Sequence, residues 1–217
     1  MNCKIVGYEF KTLEVTLQPN ESFYAERGSI VYVDEDLQRE VEFNGAQGGG
    51  LGSILGGVLK SALSGESILI IRFYNSSNKE KKLVISGSCC ALVPIKLQGE
   101  NLICRRGHYV CSTNKVGLNL NLNLQGIFGG VGLFQKIDGN ATVFLDSLGS
   151  PLEKSLNNGE VIEVDENHIV ALHGFHTSQI QAGWSVGNIM RGEGLSMMKL
   201  IGPGKVYLSP LPIIPQK

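Results

Sequence analysis

Two histidines stand three residues apart in His173-Gly174-Phe175-His176, and such a pair invites a metal-binding reading. Within one strand, residues three apart point to opposite faces. Both could reach one ion only if Gly174 broke the strand, and no carboxylate stands at a helpful offset. Two strand-end histidines are the expected outcome. Three glutamates are the next candidates. Glu21, Glu100 and Glu160 follow Pro-Asn, Gly and Asn-Gly, and seven residues later come Gly28, Gly107 and Asn167. Three gathered carboxylates could do acid–base work, but that work needs partners the sequence does not name. A turn-capping role on the solvent side is expected instead. The cysteines (Cys3, Cys89, Cys90, Cys104 and Cys111) are odd in number and form no CxxC. Cys104 and Cys111 flank the second central hairpin, where small buried apolar residues are expected rather than a disulfide. No Ser-His-Asp or Cys-His arrangement stands out. We therefore expect no catalytic residue, no cofactor, no metal and no enzyme activity.

The elements that must position these residues come in three similar units, so the chain reads as one all-β domain over 1–217. The units run over about 1–76, 77–146 and 147–217. Each holds an alternating strand, the glutamate turn, and then Gly28, Gly107 or Asn167 before a short apolar strand. Those three residue types tolerate positive φ at low cost, so the simplest expectation is one hairpin per unit about them. Gly65, Gly139 and Gly202 mark a second turn before a further strand in each unit. The stretch Val116 to Gln125 alternates leucine and asparagine, which is the period of a strand with one dry and one wet face.

One segment breaks the pattern. Residues 45–63 are rich in glycine and carry Leu51, Ile54, Leu55, Val58 and Leu59. A loop leading into one short apolar helix that caps the sheet is expected. Gly48, Gly52 and Gly56 would share one helix face and permit close approach of another backbone. Shorter glycine-rich stretches occupy the corresponding place in the other two units. An insertion repeated at one point of every unit should land on one face of the assembly.

Composition narrows the function classes. The 217 residues carry a net charge of −1, 18% charged residues and 28 glycines. A near-neutral chain exerts little pull on nucleic acid, and no basic–aromatic interleaving is present, so a nucleic-acid partner is not expected. Low charge with many glycines suits a tight-turned β protein that buries part of its surface in an oligomer. No segment reaches the roughly 20 apolar residues of a membrane span. The chain starts a strand at once without a targeting leader, and its thiols read as reduced, so a cytoplasmic location is expected.

Three features together resemble one known family. They are the Glu-x6-Gly pattern before an apolar strand, Leu63 to Ser67 after the glycine-rich stretch, and Arg191-Gly192-Glu193-Gly194 followed by Gly202 to Leu208. The family is the one named for altered inheritance of mitochondria, member twenty-four. The resemblance implies a fold similar to the tryptophan RNA-binding attenuation protein: a short double-stranded β-helix, repeated within the chain, forming a barrel or sandwich and assembling as a ring, a trimer. It implies no established enzymatic activity, and for the mitochondrial relatives an association with the inner membrane. The expected function is that of a homo-oligomeric scaffold or partner-binding module. Two alternatives stand beside it. One is a peripheral membrane organiser working through Leu51, Ile54, Leu55, Val58 and Leu59. The other is a small-ligand or metal-binding barrel.

Overall fold

The computed structural model describes residues 1–43, 69–119, 134–185 and 196–213. Alternation shapes the strands as the sequence demands. In Thr12–Leu17, Leu13, Val15 and Leu17 are fully buried while Glu14 faces solvent. Nineteen strands result among the described residues. The first stretch gives β1 (Asn2–Val6), β2 (Thr12–Leu17), β3 (Ser22–Glu26), β4 (Ile30–Val33), β5 (Gln38–Phe43), β6 (Leu69–Tyr74) and β7 (Lys81–Ser86). Next come β8 (Ala91–Gln98), β9 (Leu102–Arg105), β10 (Tyr109–Ser112), β11 (Gly117–Asn119), β12 (Phe134–Asp138) and β13 (Asn140–Ser147). The last are β14 (Leu152–Leu156), β15 (Val161–Asp165), β16 (Ile169–His173), β17 (Ile180–Ser185), β18 (Ser196–Ile201) and β19 (Gly204–Leu208).

These strands form four sheets, in the orders β1-β2-β7-β4, β5-β6-β3-β10-β13-β8, β11-β12-β9-β16-β19-β14 and β15-β18-β17. The ladders within them are antiparallel. Three apolar cores lie between successive sheets. The first joins Leu13, Leu17 and Ile85 to Phe23, Phe73 and Phe144. The second joins Val93, Ile95 and Val143 to Leu102, Ile137 and Val170. The third joins Ile103, Leu172 and Val206 to Val164, Met198 and Leu200. The central strands of the two inner sheets are buried on both faces: in β13, Phe144 enters the first core while Val143 and Leu145 enter the second.

The architecture is all-β, as expected, but it is a stack of antiparallel sheets joined at corners and not a β-helix as such. The hairpin expected about Gly28, Gly107 and Asn167 is also corrected. At each of these residues the chain changes sheets instead of folding back on its neighbour: β3 and β4, β9 and β10, and β15 and β16 lie in different sheets. Burying two faces explains this, since a hairpin would leave both strands on one layer. Gly107 takes φ +77 at its corner. Gly28 and Asn167 do not adopt positive φ; each is the middle residue of a one-turn 3₁₀ helix, Arg27–Ser29 and Glu166–His168. A 3₁₀ turn reverses the chain with ordinary negative φ, so no special residue is required there. Just past each corner the pairing slips by one residue, between Ile30 and Tyr32, Tyr109 and Cys111, and Ile169 and Ala171. Gly139 (φ +135) turns the chain between β12 and β13. Gly202 lies between β18 and β19, ahead of a cis Pro203, and exchanges backbone hydrogen bonds with Gly159 and Glu160. Gly65 lies outside the described residues.

Candidate interaction surface

Positive φ does occur once per glutamate turn, at Asn20 (+66), Gly99 (+100) and Gly159 (+77). Each puts the next residue, Glu21, Glu100 or Glu160, where its carboxylate reaches back to the end of the preceding strand. Gln18 N–H donates to Glu21 Oε2 at 2.8 Å, Gln98 N–H to Glu100 Oε2 at 2.6 Å, and Asn157 N–H to Glu160 Oε2 at 3.0 Å. The donated backbone bonds, from Gln98 and Asn157, hold the carboxyls of Glu100 and Glu160 below the usual carboxylate range. For Glu21, burial works against the charge, but bonds from the chain N-terminus and Gln18 outweigh it and its pKa is also lowered. Each carboxylate thus caps its own turn.

His173 closes β16 and His176 precedes a one-turn helix (Thr177–Gln179), with Gly174 at φ +77 between them. Glu100 arrives from a separate turn, its Oε2 4.0 Å from His173 Nε2. His176 Nδ1 meets Asn101 Nδ2 at 3.4 Å. No group of three or more His, Cys, Asp or Glu residues suited to a metal ion occurs among the described residues. His108 and His168 serve the corners: each ring Nδ1 lies 2.8 Å from a carbonyl, of Asp146 and Ser209 respectively. Burial pushes His108 below its ordinary pKa. Cys104 and Cys111 are buried free thiols on different sheets, and burial raises Cys104 to about 12. Thiols so protonated are poor nucleophiles.

One surface concavity, of about 100 Å³, is lined by Glu14, Val15, Thr16, Tyr32, Lys82, Leu83 and Val84. Ligand pockets run to roughly 300–1,000 Å³, so this one is too small for a substrate of ordinary size. It matters for another reason, because Tyr32 and Val84 belong to the outer face of the first sheet. Leu51, Ile54, Leu55, Val58 and Leu59 lie outside the described residues. The strands that lead to the three glycine-rich stretches are placed, however. Register puts Ile70 opposite Glu26, Phe134 opposite Arg105 and Met197 opposite Asp165, so all three stretches leave beside a corner. No described helix is long and apolar enough to cross a membrane.

The surface that sequence reasoning missed is the edge of β4. Among the described residues β4 pairs on one side only, with β7. Val31 is 56% exposed and Tyr32 51%. Their counterparts past the other two corners, Val110 and Cys111 in β10, and Val170 and Ala171 in β16, are at most 2% exposed. The reason is a neighbour: β10 pairs with β3 and β16 with β9, while β4 has no such partner among the described strands. Composition could have hinted at this, since Val31-Tyr32-Val33 stands where the stretches after Gly107 and Asn167 also carry apolar residues, yet nothing local says which edge lacks a neighbour.

A family profile described as mitochondrial biogenesis AIM24 matches residues 3–211. An uncharacterised protein of Streptococcus pyogenes serotype M6 is 28% identical over 222 residues, spanning 92% of this chain and 88% of its own length. A Streptococcus pyogenes protein solved by X-ray crystallography is similar in fold, with a TM-score of 0.68 and 24% identity, over 98% of this chain and 94% of that chain.

Proposed function

The chain belongs to the mitochondrial biogenesis AIM24 family, and on that footing we propose that it is a β scaffold that works by contact and assembles with further copies of itself. The observation that carries this reading is the bare β4 edge, where Val31 and Tyr32 are exposed at positions buried twice elsewhere in the chain. Covering a large apolar side chain is worth roughly 1.5–3 kcal/mol. An open strand edge also offers unpaired backbone groups to another strand. Together these favour an assembled state in which the edge is covered.

In this reading the three strand sets β2–β7, β8–β13 and β14–β19 are copies of one unit, similar to the short double-stranded β-helix of the tryptophan RNA-binding attenuation protein. A ring of three chains closes the assembly. The scaffold is cytoplasmic, a location that its five free cysteines support. Light scattering on the purified protein tests the reading. Three chain masses are expected at micromolar concentration. Tyr32→Glu should yield a folded single chain, with unchanged far-ultraviolet circular dichroism. A wild-type protein that stays a single chain at high concentration overturns it.

A further inference from the structure

The chain builds the same joint twice, and it holds both halves of a third. In the second sheet, β8-β13-β10 is continued by β3-β6-β5. In the third, β14-β19-β16 is continued by β9-β12-β11. Each joint is made by a strand that follows one corner pairing with a strand that precedes the corner before it. The first sheet ends with β2-β7-β4, which is the first half alone. The last sheet is β15-β18-β17, which is the second half alone. Among the described residues, the strands left without such a joint are β4 and β15.

We propose that β15 of one copy pairs antiparallel with β4 of the next, head to tail, and completes a third joint, in the seven-stranded order β1-β2-β7-β4-β15-β18-β17. This rests on the self-assembly reading above and names its partner surface. The register follows from the two joints already present. Cys111, four residues after Gly107, faces Ala25, three before Gly28; Ala171, four after Asn167, faces Cys104, three before Gly107. The same offsets place Tyr32 opposite Val164 and Val33 opposite Glu163.

A second, independent surface agrees. Leu152 in β14 is 66% exposed. It stands in the row Leu152–Leu208–Ile169, which matches Leu13–Ile85–Ile30 and Val93–Leu145–Tyr109. Leu13 and Val93 are at most 3% exposed. Leu13 shares a core with Val110 and Cys111, and Val93 shares one with Val170 and Ala171. Leu152 lacks such company among the described residues of its own chain, and Val31 and Tyr32 of the next copy are the residues that would supply it. Charge agrees as well. Across the joint between β9 and β16, Arg105 Nη1 donates to Glu166 O at 3.1 Å. At the joint between copies, the corresponding positions are Asp165 and Arg27, which carry opposite charges. Such a head-to-tail contact is heterologous, so it closes as a ring or runs on as a filament.

Mixed disulfide trapping tests the joint. Two single variants, Tyr32→Cys and Val164→Cys, are purified separately and oxidised alone or after mixing. Directly opposed residues of an antiparallel pair have Cα atoms roughly 4.5–5.5 Å apart, within the span of about 4.4–6.8 Å that a disulfide bridges. The expected result is a covalent dimer from the mixture and none from either variant alone or from wild type. Mixing Tyr32→Cys with Glu163→Cys, a slip of one residue to the opposite face, should give at least tenfold less. Should light scattering find an assembly while the mixed trap stays empty, or should Tyr32→Cys trap itself, the proposed joint is wrong and self-assembly stands. Single chains at every concentration remove both.

Discussion

At the scale of residues, several polar groups that could have done chemistry, the three turn glutamates and two of the histidines, are bonded to the backbone. Glu21, Glu100 and Glu160 accept N–H groups at strand ends, and the corner histidines His108 and His168 sit against carbonyls. The glutamates' folded pKa values lie below the ordinary 4.5. Stability from them is present above that pH and is lost as pH falls through the lower folded values. Glu100→Ala should therefore lower the melting temperature at pH 7, and the gap to wild type should shrink below pH 4.5 in calorimetry. His108 acts earlier in an acid titration. Burial lowers its pKa from 6.5, so the unfolded chain takes the proton first and stability falls as pH drops below 6.5. His108→Asn, which keeps a donor for the Asp146 carbonyl, should flatten the stability curve just below pH 6.5. The turn-capping role of the glutamates was legible from Pro-Asn, Gly and Asn-Gly just before them. The approach of Glu100 to His173 was not, because those residues come from turns far apart in sequence.

At the scale of elements, the corners repay a direct comparison. Sequence pointed to Gly28, Gly107 and Asn167 as left-handed positions, and only Gly107 is one. An added Cβ meets nothing within 4 Å at either Gly28 or Gly107, so backbone conformation alone separates them. Gly107→Ala should cost about 1 kcal/mol, the usual penalty for a left-handed non-glycine residue. Gly28→Ala should be neutral or add up to about 1 kcal/mol, since it removes freedom from the unfolded chain at no native cost. Urea denaturation of the two variants reads the difference. Gly87 is a steric case of another kind. A Cβ there would stand 1.6 Å from Asp146 Oδ1, while Oδ2 of the same carboxylate accepts from Ser88 N at 2.6 Å and Ser88 Oγ at 2.8 Å.

At the scale of the whole molecule, the inner sheets feed two cores at once, and this couples the layers. Phe144 enters the first core while its strand neighbours enter the second. Phe144→Ala should cost roughly 3–5 kcal/mol and shift one cooperative transition, not split it. A calorimetric trace with two resolved transitions would contradict that coupling. The proposed assembly would add a second handle, because association stabilises by mass action. The melting temperature should rise with protein concentration for wild type, and much less for Tyr32→Glu.

What the sequence determined by itself was the strand-forming alternation, the recurrent glutamate turns and the all-β class, because these depend on neighbours two to seven residues away. Leu13, Val15 and Leu17 declare a buried face without any knowledge of what covers it. Which sheet each strand joins, and therefore which edge stays bare, was decided by tertiary structure. A corner and a hairpin use the same turn residues, as Gly28 and Asn167 show, and differ only in where the following strand finds its hydrogen bonds. Val31 and Tyr32 read like Val110 and Cys111 along the chain; a partner strand at β10, supplied by residues 22–26, is all that separates a buried pair from an exposed one.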